Sequence, residues 1–488
     1  MMSVSGKAHP RLRRAGVLVV GTLFCALSAG AQASSNPSSA SNPYYGSITG
    51  HPATDDVIQL GLDDAIHRGL ENNLGLKEAE YSEHAIHGQK MQALQEFLPT
   101  ISVSGESGFH QYNLAAQGFG PGLIGKFAKL FPGGVAPGSF SLITRATVTD
   151  GLIHYDQTLF SGPVIAGWRA AGAATRAAHF ATTRARGEVV QQVATAYLHA
   201  IAAASEVDNA KALEQVDQVA LNQAHDAHVA GTASNLDELR ARVQLQAQQQ
   251  ALIAAQNNLD KDLILLKREI GLDPGQKITL SDRAPYSELA TQTPEEARAT
   301  ALKNRQDYQN LQNTLEELKA VHAAYRSQRL PTLSFSGNYG VTQIGGVGSH
   351  GTFSAVGTLS FPIFREARLR GDEEASQAQL DSANSQLEDL RGKIDQQVRS
   401  ALLDVDATAK LVDVARSNVE LATRALSDET DRVNAGVDDN LPLVTAQATL
   451  ANAQNNLVES LYQYNLSKLA LARASGILEQ QYRVFLGR

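Results

Sequence analysis

The phrase "LPTISVSGESG" at Leu98–Gly108 returns as "LPTLSFSGNYG" at Leu330–Gly340, 232 positions later, with seven of eleven residues identical. A chain made of two copies of one unit must fold both alike, so an element read in one copy constrains the other. Upstream, Ala65, Leu70 and Asn72 match Ala297, Leu302 and Asn304 at the same offset. Downstream the offset drops to 204 for Phe160 and Gly167 against Phe364 and Gly371. It is 205 for Gln192-Val193, Ala196, Asn235-Leu236 and Gly271 against Gln397-Val398, Ala401, Asn440-Leu441 and Gly476. The units are expected at residues 58–275 and 290–478, with a linker at 276–289 and a tail at 479–488. The first copy carries 28 extra residues between Gly108 and Phe160, a Gly/Pro-rich stretch beginning "HQYNLAAQ" that reads as a long loop closing a hairpin. Its counterpart, "TQIGGVGSHG", is short.

Each repeated phrase alternates. Ile101 and Val103, and Leu333, Phe335, Tyr339 and Val341, fall on one face, with Ser, Thr or Asn on the other, as in a strand with one apolar side. Returning strands are expected at about 141–160 and 352–364, giving hairpins at about 99–160 and 331–364. Pro99 and Pro331 end the helices that lead in, about 75–97 and 307–329. After each hairpin comes a long run rich in Ala, Gln, Leu and Arg, 164–229 and 367–433, with no proline to break it. At ~1.5 Å per residue each helix would be roughly 100 Å long. In the second, Val398, Leu402, Val405, Ala409, Val412, Ala415, Val419, Ala422 and Leu426 recur at coiled-coil spacing. Return helices are expected at 236–270 and 441–474. Gly231 and Gly436 suit the turns before them, and Ser234 or Asn235 with Glu238 suits a capping box.

The first 33 residues read as a secretory signal, with Lys7, Arg11, Arg13 and Arg14 before an apolar run and Ala31-Gln32-Ala33 before Ser34. The only cysteine, Cys25, lies inside it behind Phe24, which disfavours lipidation, so the expected mature chain has no disulfide, thiol nucleophile or cysteine metal site. Residues 34–57 read as a flexible leader. Losing four basic residues takes the formal charge from −8 to −8 − 4 = −12, which disfavours nucleic acid as a partner. His84/His87 and His225/His228 are spaced as helical pairs, without a cysteine or clear third ligand nearby. No serine sits in a G-x-S-x-G context. The chain therefore reads as a non-enzyme with no cofactor.

Four strands with one apolar face cannot close a membrane barrel alone, and lipid does not tolerate their open edges. The strands imply an oligomer; three chains give twelve strands and two give eight. A soluble periplasmic coiled-coil scaffold or adaptor, its hairpins packed on themselves, is the alternative.

The duplicated plan, the "LPT" strand starts, the "LF-SG" and "SFPIF-RE" exits and the "AG-x4-L" turns resemble the TolC-type outer-membrane efflux proteins across residues 58–478. The resemblance implies a mixed fold: a long antiparallel α-helical coiled-coil barrel plus four β-strands per chain, contributing to a trimeric twelve-stranded transmembrane β-barrel. It also implies a homotrimer in the outer membrane, docked to a periplasmic adaptor and an inner-membrane pump and conducting passively. By the same resemblance the turns would be the periplasmic tips that the adaptor contacts: Ala230, Gly231, Asn235, Leu236 and Leu239, with Ala435, Gly436, Asn440, Leu441 and Val444. The family's acidic constriction positions hold Pro442 and Thr445 here, so candidates for a negative ring are Asp237, Asp438 and Asp439.

Overall fold

The computed structural model describes residues 38–48, 52–113, 143–232, 234–282, 287–289, 292–345, 348–435 and 440–486. The signal segment with Cys25, most of the long first loop, and Gly436, Asp438 and Asp439 lie outside them.

The first copy runs β1 (Ile58–Leu60), α1 (Leu62–Asn72), α2 (Leu74–Gln95), β2 (Thr100–Asn113), β3 (Ile143–Phe160), α3 (Gly162–Val229) and α4 (Asn235–Ile270). The second runs β4 (Ile278–Leu280), α5 (Pro294–Asn304), α6 (Gln306–Ser327), β5 (Thr332–Ile344), β6 (His350–Ser360), α7 (Glu366–Asn434) and α8 (Asn440–Ala474), then α9 (Leu478–Phe485). Pro163 opens α3, where its missing N–H costs nothing, and no proline follows within its 68 residues.

The helices form one layer. α2 and α4 both pack on one side of α3, while α6 and α8 both fill the space between α3 and α7. Two short helices thus share the length of one long one, and each pair leaves a break where its members meet. Gly271, just past α4, approaches Asn72 in the first copy; Gly476, just past α8, approaches Arg305 in the second. The main core lies at this height and includes Val193, Tyr197, Leu266, Ile394 and Leu469.

At one end of the layer stands an antiparallel sheet of order β2-β3-β5-β6. Residues directly opposite on antiparallel strands share a face. Val103 faces Ile153, which faces Tyr339, which faces Phe353. The whole row that includes Ile101, Phe109, Val341 and Leu359 is therefore one apolar surface, while Ser102, Ser104, His154, Asn338 and Ser354 lie on the other. Ile101, Val103, Phe109, Tyr339 and Phe353 are all exposed in the single chain. No helix among the described residues is long and apolar enough to cross a membrane.

Four stretches differ from expectation. The linker at 276–289 contains β4, which pairs in parallel with β1, Leu60 opposite Leu280. Part of the tail at 479–488 is helix α9. The leader is not wholly irregular: Pro43–Tyr45 is a 3-10 turn capped by Asn42. The first loop starts later than expected, because His110–Asn113 continue β2 against Ile143–Ala146.

Candidate functional site

The tip opposite the sheet is built by chain reversal. α3 ends at Ala230, whose N–H donates to Asp226 O at 2.9 Å, and Gly231 takes φ +72°, the left-handed region that a side chain disfavours. Thr232 N–H donates back to Ala227 O at 2.9 Å, closing the helix end. Ser234, extended at φ −80° and ψ 154°, then caps α4. Its partner in the capping box is Asp237, not Glu238: Ser234 Oγ accepts from Asp237 N–H, and Asp237 Oδ2 accepts from Ser234 N–H at 3.2 Å. The cap begins at Ser234, so the third helical residue is Asp237. Arg240 adds an ion pair to Asp237 at 3.5 Å. Asp237 thus has a local structural partner on each side.

Glu238 turns inward. It accepts from Arg242 at 2.8 Å and lies 3.4 Å from His225. His225 is thereby drawn to a carboxylate, and among the described residues no group of three or more His, Cys, Asp or Glu could hold a metal ion. One layer up, Asp217 on α3 is 3% exposed, and burial raises its carboxyl above the ordinary value against the lowering effect of a hydrogen bond with Gln244. Asn235, Leu236 and Leu239 occupy the first turns of α4, and Asn440, Leu441 and Val444 those of α8, preceded by Ala435 at the end of α7. Leu236, Leu239 and Val444 come together with Arg240, Val243 and Gln244 around a groove of about 350 Å³. Arg240, Val243 and Gln244 escaped the sequence reading because only the packing of α4 beside α8 joins them to the turn residues.

Beyond the groove, each edge of the layer carries exposed apolar residues that nothing among the described residues covers. On α4, Ile253 and Ile264 are exposed, in heptad register with Leu236, Leu239 and Val243 at the groove. On α7, Leu411, Val414 and Leu421 are likewise exposed in one heptad register, with Leu403 exposed one position off it. The seam containing Val398, Val412, Ala415 and Ala422 on α7 is buried within the chain. The sheet repeats the arrangement: among the described residues, β2 and β6 each pair on one side only.

A family model described as "Outer membrane efflux protein" matches residues 65–272 and 297–477, one stretch per copy. The chain belongs to this outer membrane efflux protein family. It is similar to "Outer membrane protein TolC" of Escherichia coli (strain K12), 22% identical over 311 residues, covering 60% of this chain and 62% of that protein. "Alkaline protease secretion protein AprF" of Pseudomonas aeruginosa is 23% identical over 301 residues, again with 60% and 62% covered. The chain thus matches somewhat less than two thirds of the length of these relatives. Among solved structures, the fold matches the CmeC outer membrane channel of Campylobacter jejuni at a TM-score of 0.68 and 16% identity, covering 90% of this chain and 92% of that one. It matches the open state of the MtrE outer membrane channel of Neisseria gonorrhoeae at 0.69 and 16%, covering 88% and 94%. The efflux-family fold is therefore a helical layer joined to a short antiparallel sheet, and in this member the two copies supply two strands each.

Proposed function

We propose that this chain is one protomer of a homotrimeric exit duct in the bacterial outer membrane, conducting cargo passively from a periplasmic adaptor and an inner-membrane pump. The observation that carries the reading is the pair of open edges. A sheet of four strands with one apolar face needs other strands on both β2 and β6 before lipid can surround it. The same edges of the helical layer offer unburied heptad seams on α4 and α7. One rotation that joins β6 to the β2 of a second copy also brings α7 against that copy's α4. Three copies give a closed barrel of twelve strands, each long enough to span the ~30 Å hydrocarbon core when tilted. The apolar sheet face then meets lipid and the polar face lines the pore.

In this arrangement the tips carry the adaptor contact, centred on the groove formed by Leu236, Leu239 and Val444. Asp237 enters the periplasmic opening with its charge offset by Arg240, so Asp438 and Asp439 of the second turn are the stronger candidates for a negative ring.

A charge in the open seam tests the assembly. Val414→Glu is expected to convert a heat-modifiable trimer in the outer-membrane fraction into monomers on an unheated gel, whereas Arg416→Glu, outside the seam, is expected to leave the trimer intact. A wild-type protein found as a soluble monomer would overturn the duct and favour a periplasmic scaffold.

A further inference from the structure

The duplication leaves two equivalent breaks in the helical layer, and they are treated differently. In the first, Asn73 caps α2, accepting from Gly75 N–H at 2.9 Å. The chain's own leader fills the space: the ring of Tyr44 packs so closely on Gly75 that a Cβ there would lie 2.6 Å from it. Leu74 N–H donates to Gly46 O and Asn73 Nδ2 to Tyr44 O, which pins the aromatic plug in place. In the second copy the position of Asn73, 232 residues on, is Arg305, and a cavity of about 420 Å³ remains between α3, α6, α7 and the α8–α9 junction.

The side on which this cavity opens follows from helix geometry. α1, α5 and α9 cover one face of the layer. On α3 that face is marked by Arg186, which pairs with Glu479 of α9 at 2.8 Å. On α7 it is marked by Asp395, 3.6 Å from Arg298 of α5. Arg184 and Glu188 lie two residues from Arg186, and Lys393 and Gln397 two from Asp395, about 200° around a helix at ~100° per residue. They lie on the face opposite α1, α5 and α9, where Arg184 and Glu188 are also near Tyr44 of the leader. In the trimer a belt of extra helices inside the tunnel would plug it, so the covered face is outside and the cavity is a niche in the tunnel wall.

Its chemistry is cationic against an acidic background. Arg305 is held by Asp307 (2.6 Å) and by Gln397, and Glu479 by Arg186. Arg184, 3.8 Å from Glu188, shares that single carboxylate with Arg473. The described residues give the exposed Lys393 no partner. Four cations, Arg184, Arg305, Lys393 and Arg473, thus line the cavity with three carboxylates, one of which, Glu479, is already taken by Arg186, in a chain whose net charge is −8. Leu311, Leu390 and Leu478 supply apolar wall beside the charges.

We propose that this niche binds a small amphiphilic organic anion, an acid head on Lys393 and the Arg184/Arg473 pair with an apolar body on the leucines. It would be an equatorial station in the tunnel for acidic cargo. The volume falls within the ~300–1,000 Å³ of small-molecule sites. The first copy indicates the shape, since its break is filled by an aromatic ring with a polar end. The luminal placement rests on the duct reading; the binding chemistry does not.

The test is calorimetric titration of the full-length protein in non-ionic detergent with naphthalene-2-carboxylate and with the neutral 2-naphthamide. The acid is expected to bind once per chain, at least tenfold more tightly than the amide. Lys393→Glu should weaken the acid at least tenfold, Leu390→Trp should abolish binding by filling the niche, and Lys303→Glu should change nothing. Equal binding of acid and amide, or unchanged acid binding by Lys393→Glu in a protein of wild-type helical content and assembly, overturns the niche. Binding by a protein that proves to be a soluble monomer would leave the niche standing and remove the duct.

Discussion

The two copies share a fold and differ in how each closes the same weak points. Where the return helix of the first copy ends, Glu269 is fully buried with one oxygen accepting from Gln192 at 2.9 Å and the other without a partner. Its equivalent in the second copy, 205 residues on, is Ala474. The second copy in turn buries Lys468, whose Nζ donates to Ser287 O at 3.2 Å and lies 4.5 Å from the Tyr464 ring. Its equivalent in the first copy is Leu263. Duplication fixed the helix positions, and each copy then acquired its own buried ionisable group, with opposite consequences for pH.

The strand copies should differ most. At Gly340 a Cβ would lie 2.0 Å from the carbonyl oxygen of Gly151 on the neighbouring strand; at its counterpart Gly108 the nearest obstacle is the movable ring of His110 at 2.9 Å. Gly340→Ala is expected to cost more than about 4 kcal/mol and to abolish heat-resistant assembly on gels. Gly108→Ala should leave that assembly in place; equal loss in both would erase the distinction.

Burial pushes the Glu269 carboxyl up from 4.5 to about 8, with the Gln192 hydrogen bond opposing. Between those values the unfolded chain releases a proton that the fold keeps, so stability falls as pH rises from 4.5 to 8. The accumulated loss is on the order of 4 kcal/mol. Glu269→Gln should recover most of it at pH 8 and flatten the thermal midpoint across that window. Lys468 behaves oppositely. Burial lowers its ammonium from 10.5 to about 8, so the penalty is full below pH 8 and is relieved as pH rises towards 10.5. Lys468→Met should gain about 3 kcal/mol at pH 7, measured as a raised midpoint, and nothing above pH 10.5. A midpoint for either variant that tracks wild type at every pH would show that these groups are not carrying the difference.

The smallest effect concerns the plug. Tyr44 is half-buried, so Tyr44→Ala should cost about 2 kcal/mol, less than full removal of a core aromatic. It should also open the first break to amphiphiles of the kind proposed for the second, seen as a second binding event per chain in the same titration.

Much of the fold was legible because its signals are periodic and doubled. Strands β2, β5 and β6 alternate, the long helices have no proline after their first turn, and the features recur at an offset of 232 before the first loop and 204 to 205 after it. β1 and β4 were not legible. Three residues are too few to show alternation, and each strand's partner lies 220 positions away. The Asp237 cap was misread by one residue because Ser234 and Asn235 are both good caps by type, and only the extended backbone at Ser234 selects it.

The sequence by itself determined the duplication, the order of helices and strands and the two-faced character of the hairpins, since these follow from local periodicity and residue type. Tertiary structure alone decided which heptad seam on α4 and α7 is buried and which stays open, because apolar stripes of equal spacing differ only in what packs against them. It also decided that one break is plugged by Tyr44 while the other is left as a cationic niche. That outcome depends on chain segments 29 and 92 positions apart, Tyr44 to Asn73 and Arg305 to Gln397, meeting at a single height in the layer.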